Sequence, residues 1–201
     1  LGLWCDPNTW RDQLDHFVAT RERVAAAAPG RLTATTIKFF ADGVIESGTG
    51  AMLEPYCDCP HSQGLPNWDP AELCAAVAAV DTLGFAPHIH AIGDAAARMA
   101  LDAIEHANTV NGARDRRATI AHTQLVDADD IDRFVQLGVI ANFEPYWAKY
   151  DAWQVALTAP RLGDDRTNRQ YMMRTLLQTG APVSFGSDWP VTTVDWRPAF
   201  A

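Results

Sequence analysis

Apolar positions along the chain switch repeatedly between two periods. From Trp10 to Ala28 they recur at helical spacing, through Leu14, Phe17, Val18 and Val24, until Pro29-Gly30 closes the segment. Leu32 to Phe40 is instead rich in β-branched residues and predicts a strand, which Asp42-Gly43 stops. Val44 to Asp69 has no clear period, and Pro55, Pro60, Gly64 and Pro66 mark it as a long loop of the kind compact domains use as a lid or binding loop. Asp69-Pro70-Ala71-Glu72 then supplies an N-cap, a first-turn proline and an acidic N3, and Leu73, Val77, Val80 and Leu83 carry a helix to Gly84. The same punctuation predicts a strand at Phe85–Ala91, a helix from Asp94 to about Ala107, and a strand at Ala118–His122. An Asp127-capped helix follows, with Ile131, Phe134 and Leu137 facing inward, and then a strand at Val139–Phe143. Residues 144–167 form a second irregular stretch. A helix from Asn168 to Gln178 packs through Met172, Met173, Leu176 and Leu177, and a last strand at Pro182–Gly186 leads into Ser187-Asp188-Trp189-Pro190.

Apolar strands alternating with capped helices mean α/β architecture, with parallel strands joined by right-handed crossovers in an open sheet or a barrel. Five strands are visible. In either form ligands collect at the carboxyl ends of strands, which is where Lys38, His90, His122 and Asp188 fall. No glycine-rich phosphate loop follows any strand, which weighs against a nucleotide-binding sheet; a phosphate-binding reading would need affinity at the Gly93 turn. In His88-Ile89-His90-Ala91-Ile92-Gly93-Asp94 strand alternation puts His88 and His90 on one face, Gly93 permits a tight turn, and Asp94 is a natural N-cap.

At 201 residues and 48% hydrophobic content the chain has enough apolar material to bury a core, and length alone suggests one domain or a little more; taken as one unit it spans 1–201. A formal charge of −9, with 16 scattered Lys and Arg, argues against a nucleic-acid partner. No apolar run approaches the ~20 residues that cross a bilayer, so no membrane partner is expected. The opening residues lack the order of a secretory signal and the four cysteines form no dense framework, so a cytoplasmic setting is expected. Cys57-Asp58-Cys59-Pro60-His61 lacks the spacing and the second cluster of a structural zinc site.

Neutral imidazoles with a carboxylate are the donors that Zn²⁺ or another divalent transition metal takes, and one or two such ions are expected here. Each candidate also has a plainer reading. A strand-end His can be a hydrogen-bonded structural residue, and His88, one layer deeper, fits a core or supporting role. Lys38 can pair with Asp42 or Glu46, Asp94 can be a helix cap, and Asp42 a turn residue.

Four segments in register carry a family resemblance: Ile37-Lys38-Phe39-Phe40-Ala41-Asp42-Gly43, His90-Ala91-Ile92-Gly93-Asp94, Ile120-Ala121-His122-Thr123 and Gly186-Ser187-Asp188-Trp189-Pro190. Together they resemble the amidohydrolase superfamily, and within it the amidohydrolase 3 branch of YtcJ-like and N-substituted formamide deformylase-like hydrolases. The resemblance implies a (β/α)8 TIM barrel of which only about strands 4–8 are present. His90 and His122 would bind metal from strands 5 and 6, and Asp188 from strand 8 would touch both metal and water. Lys38 would be a metal ligand after carboxylation. It further implies a metal-dependent amidohydrolase acting on a small-molecule substrate at a non-peptide C–N bond (amide, imide or N-substituted formamide), with Asp188 as base and then acid. Tyr146, Trp147, Tyr150, Trp153 and Trp189 would shape the substrate pocket, and a second copy of the chain is a candidate partner. The family's strand-1 His-x-His pair is missing, so the expectation is a piece of a longer protein, without strands 1–3 or the companion β domain and inactive alone. The rival expectation is a non-catalytic metal- or ligand-binding barrel remnant.

Overall fold

A computed structural model of the protein describes residues 1–200; Ala201, the last residue of the predicted domain, lies outside them. Six strands form one sheet in the order β1-β2-β3-β4-β5-β6, every neighbouring pair parallel. They are β1 (Gly2–Trp4), β2 (Thr36–Phe40), β3 (Ala86–Ala91), β4 (Thr119–His122), β5 (Ile140–Phe143) and β6 (Val183–Phe185). Between them run α1 (Trp10–Ala27), α2 (Pro70–Thr82), α3 (Asp94–Asn111), α4 (Ile131–Leu137), α5 (Ala159–Asn168) and α6 (Met173–Thr179). Strand order equal to chain order is the winding of a barrel, with no reversal of the kind that marks an open doubly wound sheet.

The two sheet faces differ in chemistry because residues alternate along each strand. Ile37, Phe39, Ile89, Ile120, Ala141 and Phe143 are fully buried in the main core, against the helices. At about 1.5–3 kcal/mol per large side chain this layer is a principal driving force for folding. Alanine lets α2 and α3 pack closely, with Ala76, Ala96, Ala97, Ala100, Ala103 and Ala107 buried. Asp69 caps α2 as the sequence predicts, accepting from the amides of Ala71 and Glu72 at 2.9 and 3.2 Å.

Three elements differ from expectation. The sheet has six strands, not five: β1 is too short to show a period in sequence and exists because it pairs with Thr36, Ile37 and Lys38. Strand β2 begins at Thr36 rather than Leu32, because its ladder partners on both sides, Gly2 and Ala86, begin there. Residues 144–167 are not irregular throughout. A π-helical turn at Gln154–Thr158 runs into α5, where Gly163 (φ 71°) kinks the helix and hides its period, while the predicted helix from Asn168 starts only at Met173.

The β3–α3 turn also works differently. Gly93 occupies the N-cap position and Asp94 the first helical residue. Gly93 has an ordinary φ of −76°; its need is space, since a Cβ there would stand 1.9 Å from the Ala51 carbonyl oxygen. Asp94 reaches back to the long loop and accepts from the Leu53 amide at 2.8 Å, as well as from Ala95 at 3.0 Å.

Candidate active site at the strand ends

The ladder register places the polar residues of the inner face in two rows. Trp4, Lys38, His88 and Thr119 are paired across β1 to β4, and one row nearer the carboxyl ends lie Phe40, His90, Ala121, Asn142 and Ser184. His122 pairs with Ala91, whose side chain faces the helices, so a regular strand would turn this imidazole outward. It does not, because the backbone leaves the strand: φ is 74° at His122 and 41° at Thr123. Left-handed φ in non-glycine residues costs on the order of 1–3 kcal/mol. The Thr123 hydroxyl helps hold the turn by donating to the Ile120 and Asn142 carbonyls at 2.9 and 3.2 Å. The result is a T-shaped contact between the rings of His90 and His122, with centroids 4.6 Å apart.

Each imidazole is oriented by a partner on a different nitrogen. His90 Nε2 lies 2.9 Å from the Gly43 carbonyl oxygen, which only accepts, so Nε2 carries a proton and in the neutral ring Nδ1 is the nitrogen with the lone pair. Asp42 stands behind the same nitrogen at 3.4 Å. It is more than a turn residue: its buried carboxylate accepts from the amides of Ala51, Ile92 and Gly93 at 2.8, 3.1 and 2.8 Å, clasping β2, the long loop and the β3–α3 turn together. His122 Nδ1 lies 3.0 Å from Glu144 Oε2; with the carboxylate ionised Nδ1–H donates and Nε2 is left free. Trp147 stacks on the His122 ring at 5.1 Å with planes 6° apart.

Burial sets the charge states. It pushes His122 down to about 3, with His90 and Lys38 adding to the effect, so the ring is neutral at ordinary pH. Burial likewise raises Glu144 to about 7, against the pull of Lys38 and His90. His88 is lowered to about 4, by burial first and then by Lys38 and His122, which fits a neutral supporting ring beneath His90. The Lys38 ammonium is also destabilised by burial, opposed by Asp188 and Glu144. It makes no ion pair with Asp42 or Glu46; its Nζ lies 5.1 Å from the centroid of the Phe40 ring.

Asp188 follows the short edge strand β6, is exposed and also has left-handed backbone (φ 51°). Its charge acts on both Lys38 and His122. The structure thus brings His90 and His122 into contact and leaves Lys38 and Asp188 within electrostatic range of them. Among the described residues no group of three or more His, Cys, Asp or Glu side chains is placed to hold one metal ion. Two buried imidazoles in ring contact, each held by a partner on only one of its nitrogens, suit a borderline divalent ion, and they make up part of a donor set.

Beside this pair is a cavity of about 560 Å³ walled by Tyr146, Trp147, Trp153 and Tyr171, with Glu46 and Gln124 among its polar residues. Trp189, 66% exposed, and Tyr150 are not part of its lining. Glu144 and Glu46 are the functional candidates that motif reading passes over. Glu144 was findable, since it directly follows β5 and so obeys the same strand-end rule as His90.

A sequence model of the amidohydrolase family, of the amidohydrolase 3 type, matches residues 7–201. Over 160 residues the chain is 38% identical to the protein LONG AFTER FAR-RED 3 of Arabidopsis thaliana and 32% identical to YtcJ of Bacillus subtilis. These matches cover 79% of the chain, but only 27% and 29% of those proteins. An uncharacterised metal-dependent hydrolase from Pyrococcus furiosus superposes with a TM-score of 0.77 at 26% identity, over 94% of this chain and 37% of its own. The chain therefore spans about a quarter to a third of the length of the curated relatives it matches. With the sequential parallel strands, the imidazole pair at their carboxyl ends and a match across nearly its whole length, the chain belongs to the amidohydrolase family.

Proposed function

We propose that the complete protein is a metal-dependent hydrolase of a small molecule, cleaving an amide, imide or N-substituted formamide rather than a peptide bond. The observation that carries this reading is the imidazole pair, buried and in ring contact, with His122 kept neutral by burial and each ring held by a partner on one nitrogen, Nε2 of His90 and Nδ1 of His122. The other nitrogen of each ring would hold the ion, Zn²⁺ or another divalent transition metal. When bound, it would polarise the scissile carbonyl and make water a stronger nucleophile at neutral pH. Glu144 fixes the His122 ring through Nδ1, and Gly43 with Asp42 fixes His90 through Nε2. The Asp188 carboxylate takes the proton of the attacking water and returns it to the leaving nitrogen, one group acting as base and then as acid. Lys38, its ammonium disfavoured by burial, is the candidate to react with carbon dioxide and become a further ligand. The aromatic cavity beside Trp147 receives the substituent on the nitrogen or the acyl group, excluding water from it.

The test is hydrolysis by the metal-loaded complete protein of a panel of N-substituted formamides, cyclic imides and amides, with dipeptides as controls. We expect turnover of at least one non-peptide class, and a fall in kcat of about 10²–10⁴-fold in Asp188→Asn with little change in KM. Metal binding with no turnover of any class would favour the non-catalytic ligand-binding reading instead.

A further inference from the structure

The cavity next to the imidazole pair holds a carboxylate with no cation of its own. Glu46 comes from the loop after β2 and lines the 560 Å³ space. Its Oε1 accepts the hydroxyl of Thr158 at 2.7 Å, and among the described residues it has no ion-pair partner. Thr158 is fully buried at the end of the π-helical turn, so the carboxylate is held from behind by a neutral donor and its charge is left to face the cavity. π-helical turns are rare and frequently lie at functional sites.

The walls suit a positive group. Trp147 and Tyr171 line the same space, and Tyr171 is another residue held at left-handed φ (50°). The Tyr171 phenol is pushed up by burial and next by Glu46, so the field of this carboxylate reaches across to the ring. At the rim the chain already uses such a wall for a cation: Lys149 Nζ lies 4.2 Å from the centroid of Tyr146 and 3.6 Å from Asp151 Oδ2. That pair is internally neutral, so Glu46 is the uncompensated charge of the lining.

We propose that this cavity seats an organic cation, an ammonium or quaternary ammonium group, between Glu46 and the rings of Trp147 and Tyr171. As the identity of a substrate's side group this rests on the hydrolase reading above; as a binding site it does not. An aromatic wall with a carboxylate favours a desolvated cation over a neutral group of equal shape.

Choline and 3,3-dimethylbutan-1-ol have nearly the same shape and differ in charge. Their binding to the purified protein without added metal, followed by tryptophan fluorescence and NMR line broadening, tests the site. The expected result is a preference for choline of about tenfold, weakened by added salt and reduced to about twofold or less in Glu46→Gln, which keeps the bond to Thr158. Equal affinities, no binding of either compound up to about 50 mM, or a preference that survives Glu46→Gln would overturn the proposal. The comparison within the unmodified protein stands even if the variant fails to fold. Because no turnover is read, failure of the hydrolase reading leaves this result intact, and equal binding would remove the cation site while leaving hydrolysis of neutral amides open.

Discussion

Two imidazoles in ring contact and out of water can coexist only if at least one is neutral, and this chain arranges that by burial of His122 and holds each ring through one nitrogen. Glu144, itself buried, is the support that a single side-chain change tests most directly. Glu144→Gln keeps the shape but removes the charge that orients Nδ1–H of His122, and we expect metal affinity of the complete protein to fall about 10–100-fold. Unchanged affinity, read by competition with a chelator, would mean that His122 needs no orientation. A second residue-scale prediction concerns Arg117, which is exposed at φ 52° and whose side chain makes no hydrogen bond, ion pair or ring contact among the described residues. Arg117→Gly relieves the left-handed strain at some cost in unfolded-state entropy, for a net gain of about 0.5–1 kcal/mol and a higher Tm. At this scale the sequence was informative where a single rule sufficed: His90 and His122 were legible as strand-end imidazoles. The left-handed turn that swings His122 inward was not legible, because nothing in Ala-His-Thr demands it; the hydroxyl bonds of Thr123 and the packing of Trp147 impose it.

Among the elements, the long loop after β2 matters most, because it is tied to the carboxyl end of the sheet at both sides. Asp42 and Asp94 clasp its backbone, and Ala51 lies against the β3–α3 turn so closely that Gly93 has no room for a methyl group. Gly93→Ala must therefore push two backbone segments apart. We expect a loss of about 2–4 kcal/mol in chemical denaturation, larger than a propensity change at a helix N-cap explains; a loss under about 0.5 kcal/mol would show that the contact yields easily. The docking of α1 on α2 has a pH signature. Hydrogen bonds from Arg11, and then from Trp10, hold the Glu72 carboxyl at about 2 instead of 4.5. Because the folded value is the lower one, the contribution of Glu72 is complete above pH 4.5 and is lost as pH falls toward 2. NMR titration of the Glu72 carboxyl carbon should give a midpoint near 2; a midpoint near 4.5 would mean the contact is not populated in solution. Helices α2 and α3 and strand β3 were legible because capping residues and periods agree there. Strand β1 and helix α5 were not: one is defined only by its partner β2, and the other is interrupted by Gly163.

Among the described residues the sheet presents six strands in barrel order, with β1 and β6 outermost and exposed tryptophans near both, Trp4 at 55% and Trp196 at 65%. Outer strands of a sheet flanked by exposed apolar surface tend to associate. We propose that the isolated 201-residue chain self-associates, so that sedimentation at micromolar concentration shows dimers or larger species; a monomer at about 100 μM would contradict this. Among the described residues no helix is long and apolar enough to cross a membrane. The family was legible in sequence from four short segments, none sufficient alone, because their order along the chain mirrors the order of strands around the site. The resting place of Asp188 was not legible, since it depends on the exposed loop after β6. The most direct test of the central claim is the transition-metal content of the purified complete protein beside its His90→Ala/His122→Ala variant, by elemental mass spectrometry. The account predicts bound divalent metal in the first and its loss in the second; a metal-free protein, or equal occupancy in both, would contradict it.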